Sequence, residues 1–190
     1  MPVSRRSVRV CSLPAAEASG TEMQIRSLSV VDADSAFQLR REALLDSPLA
    51  FSASIEDDFW TSIDVVREQL DSRSGSQVFG AFAGGLHGMI GLGRARHVKS
   101  GRKVFLWGMY VRPQWRGQGA GGRLLAAAVT HARNLAGVRA VYISVSEAAP
   151  EARRLYERAG FRVWGTEPDS IQVGERLLTE YHMILPLPAG

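Results

Sequence analysis

A glycine-rich junction between a strand-like run and a helix-like run constrains this chain more than any other segment. Residues 104–111 have a strand pattern, residues 123–136 have a helix pattern, and the sequence RGQGAGG stands between them at 116–122. Glycines there permit a tight turn whose backbone N–H groups converge in one loop. The helix start adds unpaired N–H groups and roughly half a unit of positive charge. The junction is therefore predicted to bind a diphosphate group.

Two nucleotide-binding motifs compete for this loop. A Walker A loop requires Lys and Ser or Thr after its last glycine, whereas Arg123 and Leu124 follow Gly122. A dinucleotide fingerprint is present at Gly117, Gly119 and Gly122. That fingerprint normally follows its strand directly, but residues 112–116 intervene here. The chain after Gly122 is also too short for the remaining units of a doubly wound sheet.

A third interpretation accounts for more residues. Val111-Arg112-Pro113, followed by Arg116-Gly117-Gln118-Gly119-Ala120-Gly121, resembles the acetyl-CoA loop of the GNAT acetyltransferase superfamily. That loop has the pattern Arg/Gln-x-x-Gly-x-Gly/Ala. Residues 152–161, ARRLYERAGF, resemble the family signature Ala-x-x-Leu-Tyr-x-x-x-Gly-Phe. One position departs from the family, because Ala149 stands where an asparagine is frequent.

The resemblance implies a fold, a co-substrate and a set of site residues. It implies a mixed α/β sheet that opens between its fourth and fifth strands and holds acetyl-CoA in the gap. Tyr156 would protonate the departing thiolate, and the activity would be transfer of the acetyl group to a primary amine by direct attack. The backbone along the fourth strand would hold the pantetheine arm, and the loop would hold the diphosphate. The implied cofactor-binding residues are Met109, Tyr110, Val111, Arg116, Gly117, Gln118, Gly119, Ala120, Gly121 and Gly122.

Composition and charge are typical of a globular protein in the cytoplasm. The chain has 190 residues, of which 45% are hydrophobic and 22% charged, and it lacks an apolar run long enough to span a membrane. The only cysteine, Cys11, excludes an intrachain disulfide, and the four histidines show no metal-ligand spacing. We therefore expect a cytoplasmic protein that uses no metal and does not contact membranes. A homodimer is compatible with these data.

The charges are unevenly distributed along the chain. Eight Lys or Arg residues and no acidic residue lie between positions 94 and 123, around the predicted phosphate loop. Cofactor phosphates are a sufficient reason for this stretch, so a nucleic-acid partner is not expected. Glu56, Asp57 and Asp58 lie between the first two predicted helices. They predict an acceptor amine that carries positive charge.

The order of predicted elements is β-α-α-β-β-β-α-β-α-β-β, a mixed α/β class, within one domain at 23–190. Residues 1–22 are predicted to be a flexible arm because they show little apolar periodicity. Predicted strands include 86–98 and 103–111, and predicted helices include 119–136 and 150–159.

The remaining chemistry is less specific in the sequence. Four residues are candidates for the general base that deprotonates the amine: Glu56, His87, Glu180 and His182. Arg123 is a further candidate for phosphate contact. A fold of this type also occurs without catalysis, so a non-catalytic acyl-CoA-binding or regulatory domain is the alternative function. The acceptor stays open among polyamines, amino acids, antibiotics, protein N-termini and lysines.

Overall fold

The computed structural model describes residues 22–71, 76–95 and 97–188. The strands are β1 (Gln24–Ser27), β2 (Ser76–Phe82), β3 (Leu86–Arg94), β4 (Lys103–Val111), β5 (Ala140–Ser146), β6 (Arg162–Val173) and β7 (Arg176–Pro186). The helices are α1 (Ala33–Asp46), α2 (Ile63–Leu70), α3 (Ala120–Asn134) and α4 (Pro150–Arg158). The predicted α/β class and element order are confirmed. The predicted arm lies outside the described residues, apart from Glu22.

All seven strands form one sheet in the order β1-β2-β3-β4-β5-β7-β6. Every neighbouring pair is antiparallel except β4 and β5, which are parallel. A doubly wound sheet would be mainly parallel, so this topology excludes the dinucleotide-binding interpretation of the glycine loop. The predicted third strand was too long, because β3 ends at Arg94 and residues 98–100 form a 3-10 turn.

Helices cover both faces of the sheet. On one face, α3 and α4 bury apolar side chains such as Leu124, Leu125 and Tyr156 against the sheet. On the other face, α1 and α2 bury Leu39 and Val66. Each helix presents one apolar stripe, as expected for helices that pack on a sheet. The sheet therefore separates two hydrophobic cores, which hold its central strands in place from both faces.

The sheet opens at its centre. Strands β4 and β5 pair only at Lys103–Ala140, Val104–Val141 and Phe105–Tyr142, although β4 continues to Val111 and β5 to Ser146. The two strands thus diverge towards the glycine loop that follows β4. This geometry agrees with the expected gap between the fourth and fifth strands.

A β-bulge distorts β4 inside the gap. Met89 pairs with Tyr110 and Gly91 with Trp107, so two residues of β4, Gly108 and Met109, lie opposite one residue of β3. Gly108 has a φ of +61°, a conformation that glycine adopts at little cost. Bulges bend a strand and occur often beside active sites. This bulge turns the β4 backbone at the middle of the opening.

A buried ion pair ties α1 to the loop before α2. The Arg40 guanidinium donates to the Asp58 carboxylate through Nε and Nη2, with the shortest contact at 2.7 Å. Both side chains are only 5% exposed. Each charge compensates the other, and this matters because an unpaired charge in the protein interior is strongly destabilising. Asp58 is therefore a structural anchor, and its prediction as one of three carboxylates that attract the acceptor amine is wrong.

We predict that Asp58→Asn destabilises the fold by about 3–5 kcal/mol, because it leaves the Arg40 charge buried without a carboxylate. Chemical denaturation at neutral pH measures this loss. Asp169→Asn is the matched control, since Asp169 is exposed and asparagine readily adopts its positive φ of 54°. A loss below about 1 kcal/mol for Asp58→Asn, equal to a surface substitution, would contradict the role given to this pair.

Candidate active site

A cleft of about 870 Å³ lies where β4 and β5 diverge. Its walls come from the end of α1 with the turn after it, from β4, from the glycine loop and from α4. Nine of the ten predicted cofactor-binding residues line it: Met109, Tyr110, Val111, Arg116, Gly117, Gly119, Ala120, Gly121 and Gly122. Gln118 does not line the cleft, because its side chain turns back to donate to the Gln114 carbonyl. Arg123 is also absent from the walls.

The glycine loop is open towards the cleft. Gly117 and Gly119 have φ values of +75° and +79°, and a Cβ on either residue would meet no atom within 4 Å. Gly119 is the N-cap of α3 and lacks a side chain that could cap the helix. The N–H groups of the first α3 turn are thus available to a ligand. This arrangement suits the oxygens of a diphosphate.

Arg116 is held beside this loop. Its Nε donates to the Val111 carbonyl at 2.8 Å, and its Nη2 donates to Asp46 at 2.9 Å. A hydrogen bond from Ser47 and the Arg116 guanidinium hold the pKa of Asp46 below its usual range, against a smaller opposing effect of burial. A phosphate that binds Arg116 would compete with Asp46 for this guanidinium.

Tyr110 forms a polar wall of the cleft below Arg116. Its ring is buried, and the Arg116 guanidinium lies 5.5 Å from the ring centroid. Burial, followed by the charges of Asp46 and Glu42, raises the pKa of Tyr110 to about 12. The phenol is therefore protonated and serves as a hydrogen-bond donor at neutral pH.

Tyr156 faces the core below α4. The residue is 3% exposed, and its ring centroid lies 6.0 Å from that of Phe161. It lines neither the cleft nor the smaller cavity beside the cleft. Its helix neighbours Ala152 and Leu155 do line the cleft. Burial raises the pKa of the Tyr156 phenol, so it stays protonated, which is the state that a proton donor needs.

A second cavity of about 240 Å³ lies further along the β4–β5 opening. Ala50 and Phe51 line both cavities, so the two are neighbours. Its aromatic walls are Phe51, Phe105, Trp107, Tyr142 and Trp164. Its polar walls include Arg40, Ser52, Ser144, Glu180 and His182. The bulged residue Gly108 also lines it, whereas the next residue, Met109, lines the larger cleft.

Two of the four candidate bases reach this second cavity. His182 bonds to Ser144 at 2.8 Å through Nδ1 and to Glu167 at 2.9 Å through Nε2. Glu180 accepts from Ser170 at 3.2 Å. These contacts bring together residues from three strands, β5, β6 and β7.

The other two candidate bases lie elsewhere. His87 stacks on Trp115 at 4.5 Å, and its Nε2 contacts the Ala83 carbonyl at 3.0 Å. Both interactions are structural, and they place the ring behind the cleft wall. Glu56 is exposed and interacts with Ser54, which lowers its pKa, and it lines neither cavity.

Sequence reasoning missed the aromatic cavity as a unit. Its residues are distant in the chain, and each strand carries only a weak signal. Tyr142 and Ser144 alternate on β5, and Glu180 and His182 alternate on β7, so each pair shares a face of its strand. The antiparallel pairing of β5 with β7, which sets Ser144 opposite His182 and Ser146 opposite Glu180, brings the two faces together.

Within the described residues, no helix has both the length and the apolar character needed to cross a membrane. The sequence profile of the acetyltransferase (GNAT) family matches residues 38–161. No curated protein sequence matches the chain significantly.

Solved structures share the fold over most of the chain. The acetyltransferase of GNAT family from Streptococcus pneumoniae superposes with a TM-score of 0.79 at 18% identity, covering 88% of this chain and 100% of that chain. A putative acetyltransferase from Salmonella typhimurium, solved with its cofactor acetyl-CoA, gives 0.77 at 21% identity, with coverage of 89% and 96%. A phosphinothricin acetyltransferase from Sinorhizobium meliloti, in complex with acetyl-CoA, gives 0.72 at 23% identity, with coverage of 87% and 88%.

The matched segment contains both the glycine loop that precedes α3 and the α4 signature, and it spans more than half of the sequence. The chain therefore belongs to the acetyltransferase (GNAT) family.

Proposed function

We propose that this protein is an N-acetyltransferase that transfers the acetyl group of acetyl-CoA to a primary amine by direct attack. The observation that carries the proposal is the β4–β5 opening, which joins a diphosphate-type loop and cleft to a second, aromatic cavity. Two reactants can approach one point from opposite sides of such an opening. Holding them in one geometry supplies much of the catalysis in a direct transfer.

Acetyl-CoA is proposed for the larger cleft. Its diphosphate would accept hydrogen bonds from the N–H groups of residues 117–122, with Arg116 as the cationic partner. The pantetheine arm would lie along Met109, Tyr110 and Val111 and pair with the exposed edge of β4. The two similar structures solved with acetyl-CoA support this choice.

The thioester is proposed to lie at the β4 bulge, where the two cavities meet. The carbonyl gains negative charge as the amine attacks, and it is stabilised by hydrogen-bond donors already directed at it. Backbone N–H groups of the bulged segment, Gly108–Val111, are candidates for these donors. Tyr156 is proposed as the group that protonates the departing sulfur. It lines neither cavity here, so this role requires its hydroxyl to reach the sulfur when acetyl-CoA binds, as catalytic hydrogen bonds often form only in the complex.

The acceptor amine is proposed to enter the aromatic cavity. Glu180 lines this cavity and Glu167 bonds to His182 at its edge, while the charge of Arg40 is balanced by Asp58. The carboxylates of Glu180 and Glu167 favour a positively charged acceptor. This assignment replaces the role predicted for Glu56, Asp57 and Asp58, since Asp58 is buried and Asp57 accepts a hydrogen bond from the Ser54 N–H. We place the protein in the cytoplasm, without a metal in the reaction.

The proposed activity predicts acetylated products. Purified protein incubated with acetyl-CoA and a panel of polyamines, amino acids, peptides and lysine-bearing proteins should add one acetyl group to an amine, measured by mass spectrometry. Release of free CoA should match the product in amount. Tight acetyl-CoA binding without any product across the panel would favour the non-catalytic acyl-CoA-binding alternative.

We predict that Gly119→Val lowers acetyl-CoA affinity at least tenfold, about 1.4 kcal/mol. The new side chain would point into the open loop, where the backbone approaches the diphosphate. Calorimetry measures the dissociation constant. Gly84→Val is the matched control, because Gly84 has a similar φ of +72° with open space around its Cβ and lines neither cavity. Equal affinity in folded Gly119→Val protein would refute the loop assignment.

We predict that Tyr156→Phe lowers kcat by about a hundredfold or more while changing acetyl-CoA affinity little. The substitution removes the hydroxyl and keeps the ring packing against Phe161. Steady-state kinetics between pH 6 and 9 and calorimetry together separate the two effects. If kcat stays at the wild-type value across this range, Tyr156 is a packing residue alone.

A further inference from the structure

We propose that Ser144, His182 and Glu167 form a proton-accepting relay for the acceptor amine. The proposal rests on the proposed N-acetyltransferase function and names the residues that would remove the proton. A primary ammonium group has a pKa of about 10, so most of it is charged at neutral pH. Its nitrogen lone pair becomes available only after a proton leaves.

The geometry defines the direction of the relay. The Glu167 carboxylate accepts a hydrogen bond, so the bonded Nε2 of His182 carries the hydrogen. Nδ1 of the neutral ring then presents its lone pair, and the Ser144 hydroxyl donates to it at 2.8 Å. The oxygen lone pairs of Ser144 remain available towards the cavity. A proton arriving at Ser144 can thus pass to His182, and Glu167 stabilises the resulting imidazolium.

The strand pairing brings these groups together. Ser144 of β5 lies directly opposite His182 of β7, which lies opposite Gly165 of β6. Glu167 is two residues further along β6 and reaches His182 diagonally, a distance that long side chains span in a sheet. The three groups therefore form one row across three strands.

Two irregularities in β6 surround Glu167. Trp164 is an extra residue between the pairs Val163–Met183 and Gly165–His182. A second register shift lies between Glu167 and Ile171 and contains Asp169, whose φ is +54°. Bulges redirect side chains beside functional sites. Here Trp164 lies with its ring 5.7 Å from the His182 ring, at the cavity wall.

The relay lies at the proposed reaction point. Ser144 is two residues beyond Tyr142, the last β5 residue that pairs with β4, and it is exposed in the opening. It lines the same cavity as Gly108 of the β4 bulge. An amine between Ser144 and the bulge would have its proton acceptor on one side and the thioester on the other.

The reaction proceeds in three steps. The ammonium group first loses one proton to the Ser144 oxygen while the hydroxyl proton moves to His182 Nδ1, and His182 releases that proton to solvent. The neutral amine nitrogen then forms a bond to the thioester carbonyl carbon, and the carbon–sulfur bond breaks with its electron pair on sulfur. The nitrogen gives up its second proton by the same route, the thiolate takes a proton from Tyr156, and solvent returns a proton to Tyr156, so that one proton is released for each amide and thiol formed.

Charged groups face His182 from the neighbouring strands. Glu167 of β6 and Glu180 of β7 lie beside it, Tyr142 of β5 is its cavity neighbour, and Arg40 of α1 lines the same cavity. Arg40 is balanced by Asp58. The carboxylates stabilise the imidazolium that forms when His182 accepts the proton, so removing the Glu167 charge should slow the proton transfer.

Kinetics with the amine found in the panel test the relay. His182→Gln should lower kcat/KM for the amine by about a hundredfold at pH 7 and leave acetyl-CoA affinity unchanged. Ser144→Ala should lower it as well, whereas Ser144→Thr, which keeps the hydroxyl, should retain most activity. Glu167→Gln should lower kcat, because the imidazolium formed in the proton transfer loses its carboxylate partner, and it should leave acetyl-CoA affinity unchanged. His97→Gln is the control, because His97 is exposed and lines neither cavity.

Three results would overturn the relay while the proposed function survives. The first is wild-type kcat/KM in His182→Gln. The second is an acetyl group on Ser144 after incubation with acetyl-CoA alone, which would make Ser144 a nucleophile. The third is activity that is lost with a chelator and restored by Zn²⁺, which would make the cluster a metal site.

A second measurement is independent of turnover. The imidazole nitrogen shifts in an NMR spectrum of the wild type should place the hydrogen of neutral His182 on Nε2, and a neutral ring with its hydrogen on Nδ1 would also overturn the relay. Absence of acetyl-CoA binding and of any acetylated amine in the wild-type protein would instead refute the proposed function.

Discussion

Pairing between β4 and β5 stops at Phe105 and Tyr142, and both cavities depend on this early end. Parallel strands normally continue to exchange hydrogen bonds along their shared length. Here α3 follows β4 through a glycine loop, and the Gly108 bulge bends β4 before its last residues. The β4 edge beyond Phe105 thus faces the opening with its polar backbone groups. A ligand with amide groups can complete that edge as a partner strand would, which is why the opening suits a pantetheine arm.

The walls of the opening are fixed by ion pairs that join distant parts of the chain. Arg40 and Asp58 connect α1 with the loop before α2, Arg112 binds Glu42, and Arg116 binds Asp46. The first pair is buried and compensates its own charges. The Arg116 pair is more exposed, so water screens it and a phosphate can replace the carboxylate at low cost. The structure therefore combines a rigid wall beside the aromatic cavity with an exchangeable cation at the glycine loop.

The two sides of the opening differ in chemistry. The cleft side offers backbone N–H groups and Arg116, which suit anionic oxygens. The aromatic side offers Glu180 and the His182–Glu167 pair, which suit a cation that must lose a proton. For the proposed reaction, this division would let the strongly basic segment from 94 to 123 coexist with a positively charged acceptor, because the two charge preferences would act on different reactants.

The glycine loop was predictable from sequence because its information is local. Positive φ values at Gly117 and Gly119 and the start of α3 follow from residue types that are adjacent in the chain. The α4 signature and its Gly160 terminator are local for the same reason. The order of helices and strands was also predictable from the sequence, because the spacing of apolar residues indicates whether a segment is a helix or a strand and which face it buries. Boundaries were less accessible, as the overextended β3 shows, because the end of a strand depends on its partners.

Only the tertiary structure determined which charged residues are buried and which distant residues form the second cavity. Glu56, Asp57 and Asp58 are consecutive in sequence, yet Asp58 alone is buried, because Arg40 of α1 forms an ion pair with it. Ser144, Glu167 and His182 are separated by up to 38 residues and meet through sheet pairing and bulges. A sequence determines local backbone preference and periodicity directly. It determines which distant side chains share an environment only through the fold, and that environment sets whether a carboxylate anchors a helix or faces a substrate.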